Sequence, residues 1–212
     1  MREKIDRDRR RLLGNAAMAL AAVPLGMSSL QFDQSVSAVN PGASANFGPL
    51  KQIDAGVLNV GYAEDGPADG PPVVLIHGWP YDIHTYVDVA PLLAAKGYRV
   101  IVPFLRGYGT THFLSDKTLR NGQPSAIASD IIALMDALKI KQAIVGGCDW
   151  GARTANIVAA LWPERVKAMV SVSGYLIGSQ AAGKLPLPPS AELQWWYQFY
   201  FATDRGRAGY EK

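Results

Sequence analysis

Residues 142–161 read QAIVGGCDWGARTANIVAAL. A continuous apolar run of strand length, Gln142–Gly147, meets a tight turn, Gly147-Cys148-Asp149-Trp150-Gly151. A helical segment, Ala152–Leu161, follows and stops before Pro163. A continuous apolar run is what a strand buried on both faces needs. The same alternation extends in both directions. Val73-Val74-Leu75-Ile76 is a buried strand broken by His77-Gly78-Trp79-Pro80, and Arg99–Phe104 (RVIVPF) is the next. Val87–Lys96 is helical in period and ends at Gly97, a suitable residue after a helix terminus. Ala126–Leu138 carries Ile127, Ile131, Leu134, Met135 and Leu138 at helical spacing, with Ser125 as its expected cap; Val166–Ser173 is a further strand. Strands alternating with helices from residue 73 to 174 predict βαβ units: an α/β fold with a mostly parallel sheet flanked by helices.

Outside this block the texture changes. Ile53–Ala63 alternates and predicts one or two antiparallel strands, followed by the turn cluster EDGPADGPP. Leu105–Ser115 is a Gly/Thr-rich loop. Leu185–Ser190 (LPLPPS) is a hinge, and Ala191–Ala202 is dense in aromatic residues. A helix there is apolar around most of its surface, so it must sit over something, as a lid does. The domain reading is therefore an N-terminal part of the core over 53–180 and the start of a lid over 181–212.

Composition narrows the function classes. With 49% hydrophobic and 18% charged residues the chain is not a disordered one. A single cysteine excludes an internal disulfide framework and a Cys-based zinc site. The net charge is +3, of which residues 1–38 carry +2 (six Lys/Arg against four Asp/Glu). The nearly neutral remainder offers no basic patch for nucleic acid. No cofactor or metal is called for.

Residues 1–38 read as an export signal peptide. A polar, basic start is followed by the apolar run Leu12–Leu25, about 14 residues, short of the roughly 20 that span a membrane. Arg9-Arg10-Arg11-Leu12-Leu13 resembles a twin-arginine signal, and Val36-Ser37-Ala38 offers small residues for cleavage. A periplasmic or secreted protein is expected, with no membrane span in the mature chain. Residues 39–52 read as a flexible mature N-terminus.

The turn at 147–151 carries the chemistry. Glycines two before and two after Asp149 suit a strained strand-to-helix turn that projects one side chain above the sheet, where backbone and helix pass close. Centred on Cys148 instead, the turn would put Trp150 where a small residue is required. The plainer alternative makes Asp149 a helix cap. Two backbone N–H groups, of Trp79 and Trp150, are the expected oxyanion donors; Pro80 has no N–H to give. His77, at a strand end before Gly78, is expected to bond loop backbone rather than act as a base, and His84 and His112 lie in polar loops.

HGWP, LRGYG at 105–109 and GCDWG together resemble the α/β-hydrolase superfamily, at the branch that holds epoxide hydrolases and haloalkane dehalogenases. The resemblance covers about residues 53–212. It implies the α/β-hydrolase fold, incomplete here at the C-terminus, with Asp149 as nucleophile of an ester-forming hydrolase acting on a small apolar epoxide or a halogenated substrate. Phe104 departs from it, standing where the family commonly has Asp. The aromatic stretch resembles the first lid helix of epoxide hydrolases, which implies Tyr197 as a lid proton donor; its plainer role is lid packing. Trp195, Trp196 and Arg153 are expected in the substrate pocket. Arg153 also fits half of the carboxylate clamp of fluoroacetate-type dehalogenases, or a loop anchor. In the family a His and an orienting acid come from loops beyond the lid. No His follows His112, so the base and that acid are expected outside these residues, and the 212-residue chain alone is expected to be inactive. A haloalkane or haloacetate dehalogenase-like hydrolase, or a non-catalytic remnant or binding module, are the alternatives.

Overall fold

The computed structural model describes residues 46–174 and 184–212. The export signal at 1–38, the first residues of the 39–52 tail and the 180/181 boundary lie outside the described residues. The core strands are β1 (Lys51–Ala55), β2 (Leu58–Asp65), β3 (Pro72–Ile76), β4 (Arg99–Pro103), β5 (His112–Phe113), β6 (Ala143–Cys148) and β7 (Val166–Val172). Helices α1 (Val89–Ala94), α2 (Pro124–Ala137) and α3 (Trp150–Leu161) are interleaved with them. Short helices α4 (Pro189–Gln194), α5 (Trp196–Phe201) and α6 (Asp204–Tyr210) follow.

The strands form one sheet of order β1-β2-β4-β3-β6-β7, with β5 added against β2. Strand β2 is antiparallel to β1, β4 and β5, whereas β3/β4, β3/β6 and β6/β7 are parallel. Among the described strands β2 alone runs against the rest, as a mostly parallel sheet requires. The segment expected to hold one or two strands holds two, because Gly56 (φ 60) turns the chain between Ala55 and Leu58.

Alternate residues of the central strands feed two cores. Val74, Ile76 and Val145 face α2 and α3, where Ile131, Leu134, Met135, Ala155 and Val158 are buried. Val73, Leu75, Val100 and Val102 face the other side with Ile83 and Ala90. Each such Val, Leu, Ile or Met side chain stabilises the fold by about 1.5–3 kcal/mol. This two-sided burial is why the strands read as continuous apolar runs.

Four boundaries differ from the sequence expectation. The tail ends earlier than residue 52: β1 begins at Lys51, and half-buried Phe47 packs against the second core. Helix α1 is shorter than Val87–Lys96 and is preceded by a 3-10 turn, Ile83–Tyr86. Gly97 does follow it in the left-handed conformation (φ 85). Ser125 is not the cap of α2. Extended Gln123 precedes Pro124, which needs no N–H acceptor in the first turn and fixes the start, while Ser125 lies inside the helix. The loop at 105–115 contains β5.

Candidate active site

Asp149 sits between β6 and α3 at φ 54 and ψ −115, a conformation that costs a non-glycine residue on the order of 1–3 kcal/mol. Its surroundings hold it there. Its N–H donates to the Val172 carbonyl of β7 at 3.0 Å, and its carbonyl accepts the Arg153 N–H at 3.0 Å. The flanking glycines are sterically required. A Cβ on Gly147 would overlap the Gly151 carbonyl, and one on Gly151 would overlap the Ile76 carbonyl at the end of β3. A Cβ on Gly78 would lie 2.6 Å from Asp149 Cβ. Asp149, not Cys148, occupies the apex; Cys148 is the last residue of β6.

The loop after β3 meets this apex. The Trp79 N–H donates to Asp149 Oδ1 at 3.0 Å. Trp150 opens α3, so its N–H belongs to the helix-start donors that have no acceptor within the helix. His77 is fully buried. Its Nε2 accepts the Leu105 N–H at 3.1 Å, which leaves the proton on Nδ1 to donate to the Gly78 carbonyl at 3.0 Å. Burial pushes its pKa below the ordinary value, so the ring is a neutral fastener between two loops. The exposed His84 pairs with Asp82 at 2.8 Å, and His112 lies against the Thr110 carbonyl.

Asp149 opens into a cavity of about 650 Å³. Trp79, Leu105, Tyr108, Ile127 and Trp150 line it from the core, and Tyr197, Gln198 and Phe201 from α5. None of the three histidines lines it. Arg153 does, one helical turn after Asp149, with its guanidinium 5.2 Å from the Trp150 ring centroid.

Residues 71–207 match the α/β-hydrolase fold family. The chain belongs to that family. An epoxide hydrolase of Caballeronia sordidicola is 35% identical over 126 residues, covering 59% of this chain and 38% of its own length. A haloalkane dehalogenase of Mycobacterium marinum is 32% identical over 145 residues, covering 68% of this chain and 47% of its own. The crystal structure of a candidate epoxide hydrolase from Klebsiella pneumoniae is 69% identical, with a TM-score of 0.74 over 79% of this chain and 56% of that one. The chain thus spans about half the length of the relatives it matches.

Within this member of the family, the cavity unites Asp149, Trp79, Trp150, Arg153 and Tyr197 but not the other two expected residues. Neither Trp195 nor Trp196 lines it. Trp195 is the junction at which the expected single aromatic helix breaks into α4 and α5. Tyr197 and Phe201 are four apart and share one face of α5; Trp196 points off it, 59% exposed.

Two features of the cavity wall escape the sequence reading. Arg106 makes a two-pronged bond to Asp130 of α2 at 2.6 and 2.7 Å, and also donates to the Asn121 carbonyl at 2.6 Å and the Ala126 carbonyl at 3.3 Å. It thereby ties the LRGYG loop to the segment that carries Gly122 and Ile127. The available signal was Asp130 itself, a charge among apolar helix positions that has to find a partner. Tyr108 stands edge-on to His77 at 4.7 Å, and burial, with Tyr210 and Asp149 nearby, pushes its hydroxyl pKa up. Phe104, the departure from the family pattern, is buried beneath Gly109, where a Cβ would meet its ring. Among the described residues no cluster of His, Cys, Asp and Glu could hold a metal ion, and no helix is long and apolar enough to cross a membrane.

Proposed function

We propose that this chain carries the nucleophile and the first lid helices of a hydrolase that opens small apolar epoxides through an ester on Asp149. One observation carries the proposal: a carboxylate held at a strained apex on the floor of an apolar cavity, with a backbone N–H on one of its oxygens at 3.0 Å. Trp79 occupies Oδ1, which leaves Oδ2 to attack. The Oδ2–carbon bond forms as the ring C–O bond breaks, and the released oxygen takes a proton from the Tyr197 hydroxyl. The product is a hydroxyalkyl ester. Its hydrolysis requires water activated by a base and an oxyanion held by the Trp79 and Trp150 N–H groups. His77 is locked neutral on both nitrogens, and His84 and His112 lie away from the cavity. None of these three histidines is placed to serve as that base.

The dehalogenase reading has its own support in the Mycobacterium marinum relative and in Arg153 on the cavity wall. The epoxide reading is preferred because Tyr197 brings a hydroxyl to the same cavity, and a halide needs no proton to leave. The test is to expose the 212-residue chain to 1,2-epoxyhexane and map adducts by peptide mass spectrometry. One equivalent should accumulate on Asp149 and persist, and Asp149→Asn should abolish it. A label on Cys148 with none on Asp149, or sustained release of diol by the purified chain, would overturn this mechanism.

A further inference from the structure

Trp79 touches both halves of the site. Its backbone N–H holds Asp149 Oδ1 at 3.0 Å. Its indole lies flat on the Tyr197 ring, with centroids 5.3 Å apart and planes 17° apart. Phe201 meets the same indole edge-on at 5.8 Å. The indole Nε1–H donates to the Tyr210 hydroxyl at 3.3 Å, and the Phe201 and Tyr210 rings are themselves in edge contact at 5.2 Å. Three residues of α5 and α6 therefore grip one side chain of the core.

The backbone on the other side of Trp79 is already fixed. His77 is bonded on both ring nitrogens, the Tyr86 hydroxyl donates to the Ile76 carbonyl at 2.9 Å, and Gly78 is in contact with Asp149. The Trp79 N–H lies in the Gly78–Trp79 peptide plane, so it keeps its aim only while that plane is held, and the indole is the handle on the Trp79 side of it.

We infer that Trp79 is a positioning residue that makes lid docking and the aim of the oxyanion donor one event. It rests on Asp149 being the nucleophile. When Tyr197, Phe201 and Tyr210 hold the indole, the residue 79 N–H points at Asp149 and the Tyr197 ring is held flat over the cavity. When the lid lifts, the indole is released and both donors lose their aim. The side chain reaches no reacting atom; it acts through its own backbone and through Tyr197. Such coupling lowers the rate at saturating substrate, because misplaced donors cost transition-state stabilisation rather than binding.

The experiment compares Trp79→Ala and Trp79→Phe in the 212-residue chain, with Phe201→Ala as a variant that leaves the core sequence intact. Hydrogen exchange is read at residues 196–210 and at the residue 79 amide, and Asp149 alkylation by 1,2-epoxyhexane is read over a range of concentrations. Trp79→Ala and Phe201→Ala should raise exchange at the lid and at the residue 79 amide. The saturating alkylation rate should fall about tenfold, as for a lost aromatic pair, with half-saturation little changed. Trp79→Phe, which keeps the stacking, should restore most of both. Unchanged protection of the residue 79 amide in the two alanine variants would overturn the inference. So would a raised half-saturation at unchanged limiting rate, the mark of a pocket wall. If the parent chain takes no label while the amide still loses protection, the coupling stands and Asp149 as nucleophile falls.

Discussion

The turn at Asp149 and the aromatic segment after residue 184 both form walls of one cavity, yet they are held by opposite means. At the turn, backbone lies against backbone. Gly78, Gly147 and Gly151 are places where three chain segments approach too closely for any Cβ. In the aromatic segment, short helices of six or seven residues follow one another, and α5 meets the core through side chains, ring against ring at 5–6 Å. Their outer faces leave Leu193, Trp196 and Phe199 exposed. Close backbone contact admits one residue type and leaves an unmistakable sequence mark. Ring packing admits many types, and its partners are chosen by the tertiary fold.

The largest expected effect tests that contrast directly. Gly151→Ala places a methyl on the Ile76 carbonyl oxygen, where no side chain can swing away to make room. It should destabilise the chain by about 3 kcal/mol or more, the upper range for overpacking. Trp196→Ala removes a far larger side chain from an exposed position of α5 and should change stability by less than about 1 kcal/mol. Urea denaturation of the two variants gives both values. Comparable losses would mean that the aromatic segment is built into the fold as tightly as the turn.

The same contrast explains what was legible in the sequence. The strands at 73–76, 99–103 and 143–148 declared themselves because both of their faces are buried, so their residues are apolar except Arg99 at the start of β4. GCDWG and HGWP declared the turn and its donor because each glycine is a steric demand. What stayed hidden depends on residues distant in sequence. Arg106 and Asp130 are 24 positions apart, and nothing in LRGYG names its acidic partner. The break at Trp195 was invisible because a stretch apolar around most of its surface carries no clear period that marks one helix or two. Tyr197 and Phe201 were separated from Trp196 only once α5 had a definite start. The cap of α2 was misplaced for a local reason: a serine suggested itself, while Pro124 set the first turn.

A smaller effect comes from His77, on the core side of the comparison. Burial lowers its pKa in the folded chain from the ordinary 6.5. The unfolded chain therefore takes up a proton near pH 6.5 that the native state resists. The neutral ring contributes stability that is fully present above that value and is lost as pH falls toward the folded value. The slope should approach, and not exceed, about 1.4 kcal/mol per pH unit. His77→Gln keeps a neutral donor and acceptor but removes the titration, so its stability should vary less between pH 6.5 and 5. Other groups cancel in the difference between the two proteins. Parallel curves would show that His77 takes up its proton as readily in the fold as in the unfolded chain, and would free it for reconsideration as a base.

The smallest structural change is the removal of a single hydroxyl, that of Tyr197. Tyr197→Phe keeps the ring, and so keeps the flat stack on Trp79 that holds α5 over the cavity. Only the O–H is lost. If that group gives its proton to the oxygen of an opening epoxide, alkylation of Asp149 by 1,2-epoxyhexane should slow by roughly ten- to a hundredfold, near the lower end of general acid catalysis. Alkylation by 1-bromohexane should be nearly unchanged, since bromide departs without a proton. The ratio of the two rates cancels general damage to the cavity, which a lone activity measurement would not. Equal slowing of both reactions would return Tyr197 to packing alone. The lid would then supply shape, and all of the chemistry in this chain would come from the glycine-bound side of the molecule.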